Sequence, residues 1–162
     1  MEHNNHHFCC SGRHEDHGCC CQKNMDINIE LSDDEKSFLS VLAKTPFLPI
    51  VSFVAKSSKS DHLENIMLSP VYIENSEDAL FAVKNRAEIL NSLEEKGAIS
   101  IDYDLKIENA DYDFYKNSEV YKYFVEIINE SKANPDFIFD IPYMECGSIA
   151  LTGIGQEIID ED

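Results

Sequence analysis

Residues 76–108 have the sequence SEDALFAVKNRAEILNSLEEKGAISIDYDLKIE, in which the hydrophobic periodicity changes abruptly. Before Gly97 the apolar residues recur at helical spacing, whereas over 99–107 they alternate with polar residues. The first pattern predicts a helix capped by Ser76, and the second predicts a half-buried strand. Gly97 between them is typical of a helix end. A helix followed directly by a strand indicates the α+β class.

Two further helices are predicted upstream of this segment. Ser32 and Glu35 have the spacing of a capping box, which predicts a helix over 33–43. Pro46 suits the first turn of a second helix that would lie in the centre of the core. The apolar residues of this second segment are Leu48, Val51, Phe53 and Val54. The composition of 57–61 indicates a loop, and the rest of 57–75 is ambiguous apart from a short strand candidate over 71–73.

Downstream, either Asn117 or Ser118 opens a fourth helix, which Asn134 and Pro135 would end. Short strand candidates follow at 137–141 and 147–151, and Thr152 can cap a last short helix. The predicted body is therefore mainly α with a small antiparallel sheet, an α+β fold, and its length suffices for a hydrophobic core of its own.

The N-terminal residues concentrate the side chains that bind transition and soft metal ions. All cysteines except Cys146 and all histidines except His62 lie within residues 1–21. The candidate metal ligands are Cys9, Cys10, His14, His17, Cys19, Cys20 and Cys21. We therefore divide the chain into a flexible, disordered Cys/His-rich tail over 1–24 and an acidic domain over 25–162.

The spacing of these residues leaves the geometry of the metal site open. A tetrahedral site from Cys10, His14, His17 and Cys19 is one arrangement, because Gly12 and Gly18 permit the necessary turns. Adjacent cysteines suit soft ions bound through several thiolates. Zinc or copper is the expected ion, and the alternative is a disordered tail whose thiols bind metal only opportunistically.

The charge of the chain restricts its partners. The formal net charge is −18, which repels nucleic-acid phosphates and anionic membranes and favours cationic partners. No apolar segment approaches the length of a transmembrane helix, and no signal peptide is evident at the N-terminus. We therefore expect a cytoplasmic protein with reduced thiols.

Catalytic signatures are missing from the sequence, so we do not expect an enzyme. It contains no Gly-rich phosphate loop, no Gly-x-Ser-x-Gly elbow and no His-Glu-x-x-His motif. His62 is expected to be a solvated loop residue, and Cys146 a half-buried thiol. We do not expect an EF-hand calcium site, because the loop that contains four aspartates lacks the glycine and the final glutamate of that motif. These aspartates are Asp102, Asp104, Asp111 and Asp113. Five aromatic residues could form a binding surface, although such residues more often fill a small core or an interface, and these are Tyr112, Phe114, Tyr115, Tyr121 and Tyr123.

Two stretches resemble winged-helix transcriptional regulators of the MarR and ArsR kind. LNSLEEKGAI at 90–99 resembles the end of their recognition helix entering the first wing strand. SIALTGIGQEII at 148–159 resembles the second wing strand and the helix behind it. The resemblance implies a winged-helix-like body with a large insertion, 105–144, in the wing. The cations of the corresponding recognition helix are Lys84, Arg86 and Lys96, and they are surrounded by acidic residues.

These observations support a non-enzymatic, metal-interacting regulatory protein with a Cys/His tail on a winged-helix-like body. One alternative is an acidic protein-interaction adaptor or DNA mimic that binds a basic partner. Another is a metal-responsive DNA-binding repressor, although the charge disfavours nucleic acid. The expected partners are a metal ion and either another protein or a second copy of the chain.

Overall fold

A four-stranded antiparallel sheet organises the fold in a computed structural model, which describes residues 29–161. The strand order is β2-β1-β4-β3, and every neighbouring pair is antiparallel. The elements in chain order are α1 (Asp33–Lys44), β1 (Phe47–Ser57), β2 (Ser60–Val71), α2 (Leu80–Glu95), β3 (Ile99–Asp102), α3 (Asp113–Lys116), α4 (Glu119–Ser131), β4 (Ile141–Leu151) and α5 (Gly153–Glu161). The α+β class is confirmed, and the sheet is larger than the sequence predicts. The predicted tail, 1–24, lies outside the described residues.

Helices cover both faces of the sheet, so the central strand β1 has buried side chains on both sides. Val51 and Phe53 belong to a core cluster that also includes Phe124 of α4. Ile50 faces the other way and belongs to a second cluster with Leu39 of α1 and Leu90 of α2. The two clusters lie on opposite sides of the sheet because successive residues of a strand point to opposite faces.

The predicted second helix is wrong, because the segment after Pro46 forms the strand β1 (Phe47–Ser57). Residues 50–55 are all buried, which matches the continuous apolar pattern of a strand covered on both faces. A buried strand and a buried helix cannot be distinguished by periodicity when the whole run is apolar. The abundance of β-branched and aromatic residues here favours the strand.

The predicted loop over 57–61 is reduced to a tight hairpin turn at Ser58 and Lys59, and the ambiguous segment after it is mainly β2. Asp140 holds this turn in place. Its carboxylate accepts hydrogen bonds from the Ser58 backbone N–H at 2.7 Å and from the Ser58 hydroxyl at 2.5 Å. Of the strand candidate 71–73, only Val71 belongs to a strand.

The capping box of α1 is confirmed. The Ser32 hydroxyl accepts the Glu35 N–H at 3.2 Å, and the Glu35 carboxylate accepts the Ser32 N–H at 2.7 Å. The predicted cap of α2 at Ser76 is wrong, since this helix begins at Leu80 with Ala79 as its N-cap. The Asp78 carboxylate instead accepts the backbone N–H groups of Glu74 and Asn75, which folds the preceding residues into a turn.

Gly97 ends α2 as predicted, with a positive φ of 73° that suits glycine. The following strand β3 is shorter than the predicted 99–107, because the chain crosses over β4 after Asp102. Gly147 permits this crossing, since a Cβ there would lie only 2.8 Å from the Tyr103 Cα. The Tyr103 hydroxyl then forms a 2.8 Å hydrogen bond with the Ser69 hydroxyl of β2.

The remaining predictions for the C-terminal part are largely confirmed. Ser118 caps α4 by accepting the Tyr121 N–H at 3.2 Å. The strand candidate 137–141 is wrong except at its last residue, where β4 begins, and 147–151 forms the second part of β4. Thr152 caps α5 by accepting the Gly155 N–H at 3.1 Å.

Candidate interaction surface

The predicted metal ligands of the tail lie outside the described residues. Cys9, Cys10, His14, His17, Cys19, Cys20 and Cys21 all precede residue 29. Within residues 29–161, no three His, Cys, Asp or Glu side chains lie close enough together to hold a metal ion. The metal-binding hypothesis therefore depends on the tail, and it stays a prediction.

His62 and Cys146 have the ordinary environments that the sequence predicts, although His62 is in a strand and not a loop. His62 is exposed on β2. Cys146 is half-buried on β4, and burial raises the pKa of its thiol, so that it is protonated and weakly nucleophilic at neutral pH. Neither residue is part of a catalytic constellation.

The aromatic residues mostly fill the core, which confirms the prediction for that cluster with one exception. Tyr115 is buried and donates a 2.8 Å hydrogen bond to the Pro49 carbonyl oxygen. Tyr112 is buried too, and its hydroxyl donates to the Gly147 carbonyl oxygen at 2.7 Å. Tyr123 of α4 is the exception, because half of its surface, 50%, is exposed.

Three cations lie on α2 or cap its end, and two of them form ion pairs. Arg86 contacts the carboxylates of Asp78 at 2.6 Å and Glu74 at 3.1 Å. Lys96 contacts Glu35 at 2.7 Å. Lys84 has no ion pair within residues 29–161, so one cation of this helix remains available to a ligand.

A groove lies between the N-terminal half of α1 and the later part of α2, with a volume of about 600 Å³. Glu35 and Lys96 are among its lining residues, and Glu35 is only 4% exposed. Burial alone raises the pKa of Glu35. Hydrogen bonds from Lys96, Ser92 and the Ser32 backbone outweigh burial and lower this pKa to about 2. Because Glu35 links two helices and a helix cap, this pair has a structural role.

A second, mainly apolar pocket lies where β2, α2 and α4 meet, with a volume of about 140 Å³. Its lining residues are Phe53, Met67, Leu68, Leu80, Lys84, Val120, Tyr123, Phe124 and Ile127. An apolar cavity of roughly 150 Å³ binds benzene, so this pocket has the size needed for one large apolar side chain. Lys84 supplies the single charge in its wall.

Two of the apolar residues that line this pocket are exposed. Met67 is 40% exposed and Tyr123 is 50% exposed. Large apolar side chains that are exposed beside a pocket are typical of interaction sites. We call the residues that line this pocket the β2–α4 surface.

A row of carboxylates borders the β2–α4 surface along α4. Glu119, Tyr123, Glu126 and Glu130 follow at spacings of four, three and four, so they share one side of the helix. Glu126 and Glu130 are exposed and have no ion pair within residues 29–161, whereas Glu119 contacts Lys122 at 2.8 Å. This arrangement combines an apolar pocket with negative charge at its border.

The acidic border continues around the start of α2. Glu77, Asp78 and Glu119 line an adjoining groove of about 410 Å³, which shares Leu80 and Tyr123 with the apolar pocket. A ligand that fills the apolar pocket would therefore pass close to several carboxylates. The surface suits a partner that presents apolar side chains between positive charges.

This surface was not predicted from the sequence, although α4 contains a signal for it. Tyr123 and Ile127 form an apolar edge beside the buried stripe of Val120, Phe124 and Ile128, so the apolar side of the helix is wider than packing on one side requires. The contribution of Met67 was hidden because its segment was not assigned to a strand.

No known protein-family model matches the chain, and no curated protein or solved structure is significantly similar to it. Function must therefore be argued from the residues and their geometry.

In the part of the chain that the structure describes, none of the helices is both long and apolar enough to span a bilayer.

Proposed function

We propose that this chain is a non-enzymatic regulatory protein whose body binds a cationic protein partner and whose N-terminal tail binds a transition or soft metal ion. The observation that carries the proposal is the apolar pocket of the β2–α4 surface with its border of exposed carboxylates, Glu126 and Glu130 among them. Fully desolvated apolar anchors supply most of the affinity at such surfaces, and the surrounding charges supply specificity and fast association.

The tail provides the metal-responsive part of this proposal. Its thiols must lose their protons and its imidazoles must be neutral before they bind an ion, so affinity would increase with pH. Zinc and copper suit this combination of sulfur and nitrogen ligands. Binding would favour those tail conformations that bring the ligands together, and this shift in population can change how the body meets its partner.

The charges of α2 weigh against the alternative of a metal-responsive DNA-binding repressor. A helix that reads DNA needs free Arg or Lys side chains and a cationic surround. Arg86 and Lys96 are engaged in ion pairs, and the net charge of −18 opposes phosphate binding. A DNA mimic or an acidic adaptor is compatible with the same charges.

We propose a winged-helix relationship only for two parts of the body, which are α2 with β3 and β4 with α5. In its favour, α2 passes through Gly97 into β3, β3 pairs with β4, and α5 follows β4. Against a complete correspondence, the segment after Pro46 is the strand β1 and not a helix. The proposed function does not depend on this relationship, because fold similarity alone does not confer function.

Replacing the five tail cysteines, Cys9, Cys10, Cys19, Cys20 and Cys21, with serine is expected to abolish stoichiometric metal binding. Serine keeps the size of the side chain but removes the thiolate ligand. The measurement is native mass spectrometry of the full-length protein purified without oxygen and mixed with one equivalent of Zn²⁺ or Cu⁺.

Cys146→Ser is the matched control, because this cysteine is half-buried in the body. It should bind metal as the wild type does. If the five-cysteine variant also retained one bound ion, the tail cysteines would not be the essential metal ligands. If the wild type bound no ion, the metal-responsive part of the proposal would be wrong, whereas binding of a cationic protein would remain open to test.

A further inference from the structure

We propose that the free edge of β2 accepts an extended basic segment of a partner protein as a fifth strand, with one apolar side chain of that segment in the β2–α4 pocket. This inference rests on the proposed protein-interaction function and specifies its partner and its geometry. The partner is defined by its chemistry, which is one apolar anchor with Lys or Arg two and four residues away on either side, so that all of these side chains lie on one face of the extended chain.

The edge of the sheet provides the first argument. β2 is a terminal strand of 12 residues, and residues 61–67 are all exposed. Within the described chain, no backbone hydrogen bond joins its outer edge to another element. Native proteins usually shield such an edge, and partner proteins that bind by strand addition use its unpaired N–H and C=O groups.

The relation between this edge and the pocket provides the second argument. Met67 and Leu68 of β2 form one wall of the pocket, and Tyr123 and Ile127 of α4 form another. α4 lies on the sheet face that contains Phe53, with the rings of Phe53 and Phe124 stacked at 5.2 Å. A fifth strand next to β2 would direct alternate side chains toward the exposed side of α4.

Charge provides the third argument. Glu119, Glu126 and Glu130 occupy the exposed side of α4 beside Tyr123. Basic side chains that flank the apolar anchor would meet these carboxylates. Lys84, at the rim of the pocket, disfavours a positive charge directly over the anchor, so the basic residues belong on either side of it.

The same charge distribution disfavours other occupants of this edge. A second copy of the chain would bring another net charge of −18 to the interface, and nucleic acid would bring phosphates. A basic polypeptide has attractive long-range electrostatics, and its association should weaken as salt is added.

The test is fluorescence anisotropy of the full-length protein with three labelled synthetic peptides. The first is TKTKTLTKTKT, in which the lysines lie on the same strand face as the leucine, the second replaces every lysine with glutamate, and the third is the first peptide with N-methyl groups on every backbone amide of its central five residues. We expect the basic peptide to bind, the acidic peptide not to bind, and N-methylation to weaken binding at least about tenfold by removing strand hydrogen bonds.

Variants of the protein locate the binding site. The double substitution E126K/E130K should weaken binding of the basic peptide about tenfold at low salt, and Tyr123→Ala should weaken it also. The double substitution E157K/E161K on α5 is the matched control, because it makes the same change of charge at the same spacing on another exposed helix, and it should change the affinity little. All of the substituted residues are exposed, so we expect each variant to fold, and circular dichroism would verify this.

Each result separates the possible failures. If the N-methylated peptide bound as well as its parent, strand addition would be wrong while binding of a cationic partner stood. If E157K/E161K weakened binding as much as E126K/E130K, binding would reflect net charge and not this surface. If no basic peptide bound, the interaction with a cationic partner would itself be contradicted. A concentration-dependent dimer disrupted by Met67→Lys would assign the edge to a second copy.

Discussion

Gly155→Ala is expected to destabilise the protein by about 3 kcal/mol, because the added methyl group would overlap backbone atoms. A Cβ at this position would collide with the Ala98 carbonyl oxygen and would lie 2.7 Å from Leu151 Cδ1. The Ala98 oxygen has little freedom to move, since it accepts the Thr152 N–H at 3.1 Å. The close contact joins α5 to the junction between α2 and β3. Urea unfolding followed by circular dichroism measures the effect.

Gly153→Ala, in the same helix, is the matched control. A Cβ there would have no neighbouring atom within 4 Å, and alanine has the higher helix propensity. We expect this substitution to change stability by less than about 1 kcal/mol, in the stabilising direction. Equal effects of the two substitutions would show that helix propensity, and not the contact with Ala98, determines the role of Gly155.

Local signals of the sequence predicted those parts of the fold that neighbouring residues determine. The capping box of Ser32 and Glu35, the positive-φ glycine at Gly97 and the caps at Ser118 and Thr152 each depend on a few adjacent residues. Such side-chain-to-backbone hydrogen bonds form in nearly the same way in any fold, so their spacing is informative.

Features that depend on distant parts of the chain were not predictable in this way. Whether the apolar run after Pro46 becomes a helix or a strand is decided by its partners β2 and β4, which lie on either side of β1. The early end of β3 is likewise decided at Gly147, where the chain must cross another strand. Tertiary packing overrides local preference at both places.

The candidate surface shows the same limit. Its pocket combines residues from β1, β2, α2 and α4, which lie far apart in the sequence, and no local pattern brings them together. Only the excess of half-exposed apolar residues on α4, Tyr123 in particular, was available as a signal. The tail is the opposite case, because its chemistry is evident from composition alone.

Glu35→Ala is the second substitution with a large expected effect, a loss of about 3 kcal/mol. It removes the carboxylate that holds Lys96 at 2.7 Å and the Ser32 N–H at 2.7 Å, so it breaks an ion pair and a capping box together. Removing one partner of a buried ion pair is strongly destabilising, and the value is at the lower end here because Lys96 is partly exposed.

Glu35→Gln separates the two contributions. Glutamine can still accept the Ser32 N–H, as capping boxes allow, but it cannot pair electrostatically with Lys96. We expect a smaller loss than for alanine, on the order of 1–2 kcal/mol at neutral pH. Ser32→Ala removes the cap and keeps the ion pair, and it should cost about 1 kcal/mol.

The pH dependence distinguishes the ion pair from simple packing. Since folding lowers the pKa of Glu35 from 4.5 to about 2, the carboxylate stabilises the folded state fully above about pH 4.5. This contribution disappears as the pH falls through about 2, because the protonated acid no longer pairs with Lys96. The difference in unfolding free energy between the wild type and Glu35→Gln should therefore shrink over this interval.

Glu95→Gln is the control for this titration, because it makes the same chemical change at an exposed position next to Lys96. Its stability should stay within about 0.5 kcal/mol of the wild type. A constant difference between the wild type and Glu35→Gln from pH 5 to pH 2 would contradict the charge-based explanation, and packing of the side chain would then account for the loss. A difference that vanishes at low pH would show that the contact between α1 and α2 depends on the ionised carboxylate, which is the reason that this side chain is buried between them.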